Sequence, residues 1–187
     1  MMQLDWLIEG HLAGSVRPVT SVEPGSDLRW LHERGIRLLV SLAEAPLSSR
    51  DCPEDLEMVH FPLADRGVPS PRAVAKLCLT ILDAIIDGRP VAVSGSTGFS
   101  RTATILASCL VAWRGHADEG IEAVKALGPS YVPTPAQELF VRRFELDLCT
   151  PGSLVNALAT GDAARRSIEQ SDERGGPRSE RGEIKTA

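Results

Sequence analysis

The segment Val91–Ala107 reads VAVSGSTGFSRTATILA and joins an apolar strand to a helix through a loop of small residues. The loop runs from Ser94 to Arg101, and Thr102 opens the helix. The first N–H groups of a helix and the positive end of its dipole attract anions, and consecutive loop amides can converge on one anion. An arginine at the end of such a loop adds a forked donor. The segment therefore predicts an anion-binding loop.

The rest of the chain alternates between strand and helix patterns. Extended or strand segments are predicted at Trp6–Ala13, Ile36–Leu42, Leu56–Leu63 and Val91–Val93, from short apolar runs. Helices are predicted at Asp27–Arg34, Arg72–Asp87, Thr102–Arg114, Asp118–Leu127 and Pro135–Leu146, from helical spacing and terminal signals. This alternation predicts a single α/β domain with a mainly parallel central sheet flanked by helices. A ligand is expected beyond the carboxyl end of the Val91 strand.

Charge and apolar runs limit the classes of partner. The chain has 187 residues and a formal net charge of −5, so it offers no general attraction to a nucleic acid duplex or an anionic membrane. Its N-terminus lacks a signal-peptide pattern, and no run approaches the roughly 20 apolar residues of a membrane helix. We expect a monomeric, cytoplasmic protein.

Histidines and cysteines are scattered along the chain, without the spacing of a metal site or a disulfide scaffold. The residues concerned are His11, His32, His60, His116, Cys52, Cys78, Cys109 and Cys149. Free thiols in a reducing compartment, no metal and no cofactor are expected.

The composition changes near residue 150. We predict one domain over residues 1–150 and a polar tail over residues 151–187, because the tail has few large apolar residues to offset the entropy of ordering. The tail is expected to be disordered, apart from one or two helical turns near Leu154–Ile168.

The loop resembles the signature of the cysteine-dependent protein tyrosine phosphatases: His-Cys, five residues, then Arg followed by Ser or Thr. Gly98, Arg101 and Thr102 match this signature, whereas Ser94 and Gly95 stand at the His and Cys positions. Over roughly residues 5 to 147 the chain is most similar to the small atypical dual-specificity phosphatases. The similarity rests on WLIEGHLAG at Trp6–Gly14, GIRLLVSL at Gly35–Leu42, GFSRTATILA at Gly98–Ala107, PLADRGVPSP around Asp65 and TPAQE around Gln137.

The resemblance implies a role for each matching side chain. Arg101 would hold the phosphate oxygens, Asp65 would be the former general acid, and Thr102 would supply the hydroxyl that assists departure of the thiolate. The phosphate would lie against the whole loop: Ser94, Gly95, Ser96, Thr97, Gly98, Phe99, Ser100 and Arg101. The nucleophile position is lost, because Gly95 has no side chain with which to attack phosphorus.

The sequence therefore predicts a pseudophosphatase that binds a phosphorylated protein or a small anionic ligand. One alternative is an active phosphatase, in which Gly95 is an introduced inactivating substitution or another group, such as Ser94, Ser96 or Cys109, attacks. Another alternative is a scaffold that does not use phosphate. Loss of a nucleophile from a cooperating set of groups can cost on the order of a millionfold in rate, which favours the first interpretation.

Overall fold

The computed structural model describes residues 4–15, 24–48, 50, 52–95 and 99–151. Strands and helices follow one another along these residues. The strands are β1 (Leu4–Ile8), β2 (Leu12–Ser15), β3 (Leu38–Ser41), β4 (Glu57–His60) and β5 (Val91–Ser94). The helices are α1 (Pro24–Glu33), α2 (Pro71–Ile86), α3 (Ser100–Arg114), α4 (Ala117–Ala126) and α5 (Pro135–Cys149).

The strands form one sheet in the order β1-β2-β5-β3-β4. The pairs β2–β5, β5–β3 and β3–β4 are parallel, and only the β1–β2 pair is antiparallel. Strand β5 therefore lies at the centre, with β2 on one side and β3 on the other. Because parallel strands end at the same edge of a sheet, the chain leaves β5 at the middle of the edge where such sheets bind ligands.

Alternating side chains of the central strands pack against different helices. Val91 and Val93 of β5 belong to the large core formed with α2, α3, α4 and α5. Ala92, between them, packs with Leu28 and Leu31 of α1 on the opposite face. The period of two along a strand explains this division, since successive side chains point to opposite faces. The predicted α/β domain with a mainly parallel sheet is confirmed.

The predicted extended segment Trp6–Ala13 is wrong in detail, because the chain turns back within it. Gly10 has a φ of 69°, which favours glycine, and the turn separates β1 from β2. Two predicted strands are shorter than expected. Ile36–Leu42 pairs regularly only over Leu38–Ser41, and Leu56–Leu63 only over Glu57–His60, where edge strand β4 meets β3.

The predicted helices are present, with ends that differ by a few residues. α1 and α2 are followed by Gly35 and Gly88, whose φ angles are 87° and 72°, so both glycines occupy the left-handed conformation typical of a helix end. No helix in the described part of the chain is long and apolar enough to cross a membrane. The predicted disordered tail lies outside the described residues from residue 152 onward.

Candidate anion-binding site

The chain reaches the site at the end of the central strand. Ser94 is the last residue of β5, and it pairs in register with Ser41 of β3. The Ser94 carbonyl accepts a hydrogen bond of 2.8 Å from the Leu42 N–H, which holds the strand end in the ladder. Gly95 follows and is also buried. The start of the predicted loop is thus fixed by the sheet itself.

The second half of the loop leads directly into α3. Phe99 occupies the N-cap position, and its side chain caps none of the helix N–H groups. The first turn of α3 holds no acidic residue, so no carboxylate of that turn competes with an anion at its N-terminus. Residues 101–112 of α3 are all buried, which fixes the direction of the helix axis. This arrangement can receive an anion at the helix N-terminus.

Arg101 is buried in the first turn of α3, with 1% of its surface exposed. Its Nη1 atom donates a hydrogen bond of 2.6 Å to the backbone carbonyl of Leu63. Leu63 lies two residues before Asp65, so this hydrogen bond connects the loop arginine to the segment that carries the predicted acid. The structure therefore brings the Arg101 side chain to the segment that carries Asp65.

The segment around Asp65, here called the acid loop (Leu63–Val68), is a tight turn on the surface. The Gly67 N–H donates to the Ala64 carbonyl at 2.8 Å, and Arg66 has a φ of 55°. A positive φ is unusual for a residue other than glycine, so this turn stores some backbone strain. Asp65 itself is exposed to solvent.

Gln137 holds the other end of the acid loop. Its Nε2 atom donates to the Gly67 carbonyl at 3.2 Å, and its side chain is fully buried. At the same time Gln137 completes a capping box with Thr134 at the start of α5. The acid loop is thus held on both sides of Asp65 by buried side chains from two helices.

Only part of this arrangement was accessible from the sequence. The TPAQE motif places Gln137 at a helix start that resembles that of the dual-specificity phosphatases, but nothing in the sequence indicates that its amide reaches Gly67. The Leu63 carbonyl carried no signal either, because a backbone acceptor has no residue-type signature. The predicted site residues Ser96, Thr97 and Gly98 lie outside the described residues. The described members, from Ser94 to Gly95 and from Phe99 to Thr102, are at the sheet edge and the start of α3.

The family is established by a match over the region that contains this site. A family model, "Tc-R-P: Polymorphic toxin system, DSP-PTPase phosphatase", matches residues 13–116. The chain belongs to this DSP-PTPase family. The match begins in β2, includes the acid loop and extends past the end of α3. The expected relationship to the protein tyrosine phosphatase superfamily is therefore confirmed.

Solved structures of phosphatases share the DSP-PTPase fold. Tk-PTP in its active form superposes with a TM-score of 0.65 at 22% identity, covering 76% of this chain and 96% of that one. Human DUSP28 gives a TM-score of 0.64 at 17% identity, covering 79% and 95%. PTPMT1 in complex with PI(5)P gives 0.62 at 20% identity, covering 76% and 94%. At these identities the similarity establishes the fold.

Thr102 has an unusual environment within the DSP-PTPase domain. Its side chain is fully buried, and its Oγ1 atom has no hydrogen-bond partner among the described residues. Leaving a buried hydroxyl unpaired typically costs about 1–3 kcal/mol. In the resemblance described above, this hydroxyl serves the thiolate at the position that is Gly95 here. A glycine offers it no sulfur.

The sequence leaves Cys109 open as a substitute nucleophile, but the structure places this residue in the core between α2 and α3. It is buried on α3, and its Sγ atom is 3.5 Å from the Sγ of Cys78 on α2. Burial raises the pKa of the Cys78 thiol well above its ordinary value, and the neighbouring Cys109 adds to the effect. Cys109 is itself 1% exposed, so its thiol has no open path to a ligand. The pair is best described as part of the packing between α2 and α3.

The aromatic ring of Tyr131 packs against Phe99 and so supports the Ser94–Arg101 loop where it enters α3. It packs against Phe99 with ring centroids 5.3 Å apart, and it is 1% exposed. Burial raises the pKa of the Tyr131 hydroxyl, and the nearby Asp5 carboxylate raises it further. The ring also approaches β2 closely, since a Cβ atom built on Gly14 would be 2.5 Å from the Tyr131 hydroxyl oxygen. Gly14 therefore makes room for the ring that contacts Phe99.

Proposed function

We propose that this DSP-PTPase domain is a pseudophosphatase that binds a phosphorylated or other anionic ligand in the Ser94–Arg101 loop without hydrolysing it. The observation that carries the proposal is a buried Arg101 at the end of a loop in which Gly95, the residue after β5, has no side chain. The first feature is needed to hold an oxyanion. The second removes the group that would attack phosphorus.

Ligand binding is supported by the electrostatics of the loop. The N-terminus of α3 carries no acidic residue in its first turn, and Arg101 contributes a guanidinium in a nearly dry position. A bound oxyanion would add charge-assisted hydrogen bonds to this guanidinium, and such bonds are about twice as strong as neutral ones. The absence of a thiolate at Gly95 removes a like charge that would oppose the anion.

Loss of hydrolysis is supported by the surroundings of Gly95. Covalent catalysis needs an activated nucleophile, and glycine provides none. Cys109 is occupied in core packing with Cys78. Ser94 is 3% exposed, and its backbone belongs to the central ladder, so its hydroxyl has little freedom to approach a ligand. Within the described part of the chain the Thr102 hydroxyl has no hydrogen-bond partner, which agrees with a site that has lost the sulfur it served.

The class of ligand is proposed from chemistry shared with the fold relatives. PTPMT1 has been crystallised with PI(5)P, a phosphate monoester on an inositol ring. Phosphorylated proteins and small phosphate monoesters present the same dianionic group. We therefore propose a phosphate monoester, carried by a protein or a small molecule, as the ligand of this loop.

The experiment measures binding and turnover on the same preparations of the full chain. Orthovanadate and inorganic phosphate should raise the melting temperature with concentration, as expected for a ligand of the native state. Arg101→Met should abolish that rise. Arg89→Met is the matched control, because Arg89 forms surface ion pairs with Glu57 and Asp87, and it should respond like the parent. Turnover of p-nitrophenyl phosphate should not exceed that of Arg101→Met.

Two results would overturn the proposal. Equal melting shifts in the parent and Arg101→Met would place the anion elsewhere and favour a scaffold that ignores phosphate. Turnover in the parent, lost in Arg101→Met, would instead show an active enzyme with another nucleophile. Because Arg101 is buried, the melting curve of Arg101→Met without ligand must first show a folded protein, and Arg101→Lys, which keeps the charge, should bind the anion more weakly than the parent.

A further inference from the structure

An exposed apolar groove adjoins the acid loop at Val68. Its volume is about 640 Å³, and one wall is α5 while the other is the segment Val68–Pro71. Three large aliphatic side chains in it are substantially exposed: Val68 at 49%, Leu139 at 54% and Leu146 at 66%. Such side chains are normally scattered on a surface, so their grouping in one groove indicates a binding surface.

The α5 wall has the length and the pattern of a helix-docking surface. Ala136, Leu139, Arg143 and Leu146 line it at intervals of three and four residues, so they form one edge of the helix. This edge extends over roughly 15 Å at the 1.5 Å rise of an α-helix. Phe140, beside Leu139, is nearly buried and closes the floor. A short antiparallel segment with its own apolar stripe would cover the edge.

The chain itself supplies such a segment directly after α5. The helix ends at Cys149, and Pro151 disfavours its continuation in the same direction. Thirty-six residues follow the last described one, from 152 to 187. Their large aliphatic side chains are concentrated at the start, in Ser153–Thr160, which reads SLVNALAT. Leu154 and Leu158 are four residues apart, one helical turn, and Ser153 is a residue type favoured at a helix N-cap.

We infer that Ser153–Thr160 packs in the groove, with Leu154 and Leu158 against the Leu139–Leu146 edge. Tethering favours this occupant over a second copy of the chain. A short link of a few residues gives an effective concentration in the millimolar range, whereas two copies with a formal net charge of −5 each repel one another. Antiparallel helices joined by two to five residues are also a common arrangement, and Thr150–Gly152 has that length.

Docking of this segment would brace the acid loop. Val68, which lines the groove, follows Gly67, whose carbonyl accepts the hydrogen bond from Gln137. A covered groove would fix Val68 and restrict the turn that carries Asp65. This inference does not depend on whether the neighbouring loop binds an anion.

Hydrogen exchange of the full chain tests the inference. In the parent, amides of residues 154–158 should exchange at least tenfold more slowly than an unstructured peptide of the same sequence. Leu139→Asp and Leu146→Asp should each abolish that protection. Both side chains are more than half exposed, so the domain should stay folded. Ile86→Asp, at an exposed apolar position on α2 outside the groove, is the matched control and should keep the protection.

Three outcomes would overturn the inference. Absence of protection in the parent means that the segment does not dock. Protection that survives both groove variants means that it docks elsewhere. Protection that disappears on dilution, together with a dimeric mass by light scattering, assigns the groove to a second copy. Protection that is independent of concentration and lost only in the groove variants supports the inference.

Discussion

The loop that begins at Ser94 and the acid loop lie next to each other, but they are built in different ways. The described ends of the Ser94–Arg101 loop are part of the core. Ser94 is fixed by the central ladder, and Arg101 and Thr102 lie in the first turn of α3, which is buried along most of its length. The acid loop is a surface turn, held by single hydrogen bonds at Leu63 and Gly67. The geometry of the loop ends follows from the fold, whereas the geometry of the acid loop depends on the side chains of Arg101 and Gln137.

This difference explains how the proposed anion-binding site could persist after hydrolysis was lost. A loop whose ends are fixed by a central strand and a buried helix keeps its shape as long as the domain folds, even when its nucleophile is gone. A surface turn has no such protection, since its opening costs only local interactions. The anion binding that we propose should therefore be robust to substitution, and the position of Asp65 should be the first feature to drift.

Restoring the nucleophile is the change with the largest expected effect. Gly95→Cys should give weak hydrolysis of p-nitrophenyl phosphate, and Ser94→His with Gly95→Cys should give more, because a neighbouring histidine favours the thiolate. Adding Asp65→Asn should slow substrates with poor leaving groups most, since these need the proton. Steady-state rates with two aryl phosphates of different leaving-group pKa provide the measurement.

The outcome separates the two regions. The Ser94–Arg101 loop is here called the core loop. Activity that does not change with Asp65→Asn would show that the core loop kept its catalytic geometry while the acid loop drifted. If the double variant folds and binds vanadate but stays inert, the core loop itself has lost catalytic geometry, and the contrast between the regions fails. Ser94 is 3% exposed, so melting curves must first show that histidine is accommodated there.

Two glycines give a matched comparison of stability. An added Cβ would be 2.5 Å from the Tyr131 hydroxyl oxygen at Gly14, and 2.8 Å from the Ala64 carbonyl oxygen at Gly67. Gly14→Ala should lower the free energy of unfolding by about 1–3 kcal/mol, because the clash is in the packed core. Gly67→Ala should also destabilise the protein, because its clash is with a backbone carbonyl, but the cost should be smaller than for Gly14→Ala, since an exposed turn can shift locally. Urea denaturation of both variants measures the difference, and equal costs would contradict it.

The fold was predictable from the sequence because its signals are local and repeated. Apolar runs, helical spacing and Gly35 or Gly88 at helix ends identified most elements, and the pattern of Val91–Arg101 indicated the candidate site. The β1–β2 hairpin was missed because its turn at Gly10 lies inside one continuous pattern. The anchors of the acid loop were missed for a different reason: Arg101 to Leu63 and Gln137 to Gly67 join residues 38 and 70 positions apart. No local pattern encodes such pairs.

Gln137 offers a smaller and more selective perturbation of the acid loop. Gln137→Ala should lower the free energy of unfolding by about 1–2 kcal/mol, because it removes half of the capping box and leaves the Gly67 carbonyl without its amide donor. Hydrogen exchange across the acid loop should become faster. The control is Thr134→Val, which removes the capping hydroxyl but keeps the amide that reaches Gly67. If both variants loosen the loop equally, the cap rather than the Gly67 contact holds it.

The smallest expected effect comes from a surface ion cluster that joins α4 to α5. Glu138 accepts hydrogen bonds from Lys125 at 2.9 Å and from Arg142 at 3.4 Å, and the Lys125 contact is the main reason that the pKa of Glu138 lies below its ordinary value of 4.5.

A carboxyl whose pKa is lowered by folding stabilises the protein above its unfolded pKa, and this contribution disappears as the pH falls through the folded value. Glu138→Gln should therefore cost less than about 1 kcal/mol at pH 7. The difference from the parent in urea denaturation should shrink as the pH falls below 4.5 and disappear once it has passed the lowered pKa of folded Glu138. The vanadate-induced rise in melting temperature should be the same in both proteins at pH 7. Loss of that rise in Glu138→Gln would show that anion binding depends on α5 beyond Gln137. It would also show that burial alone does not fix the geometry of the core loop.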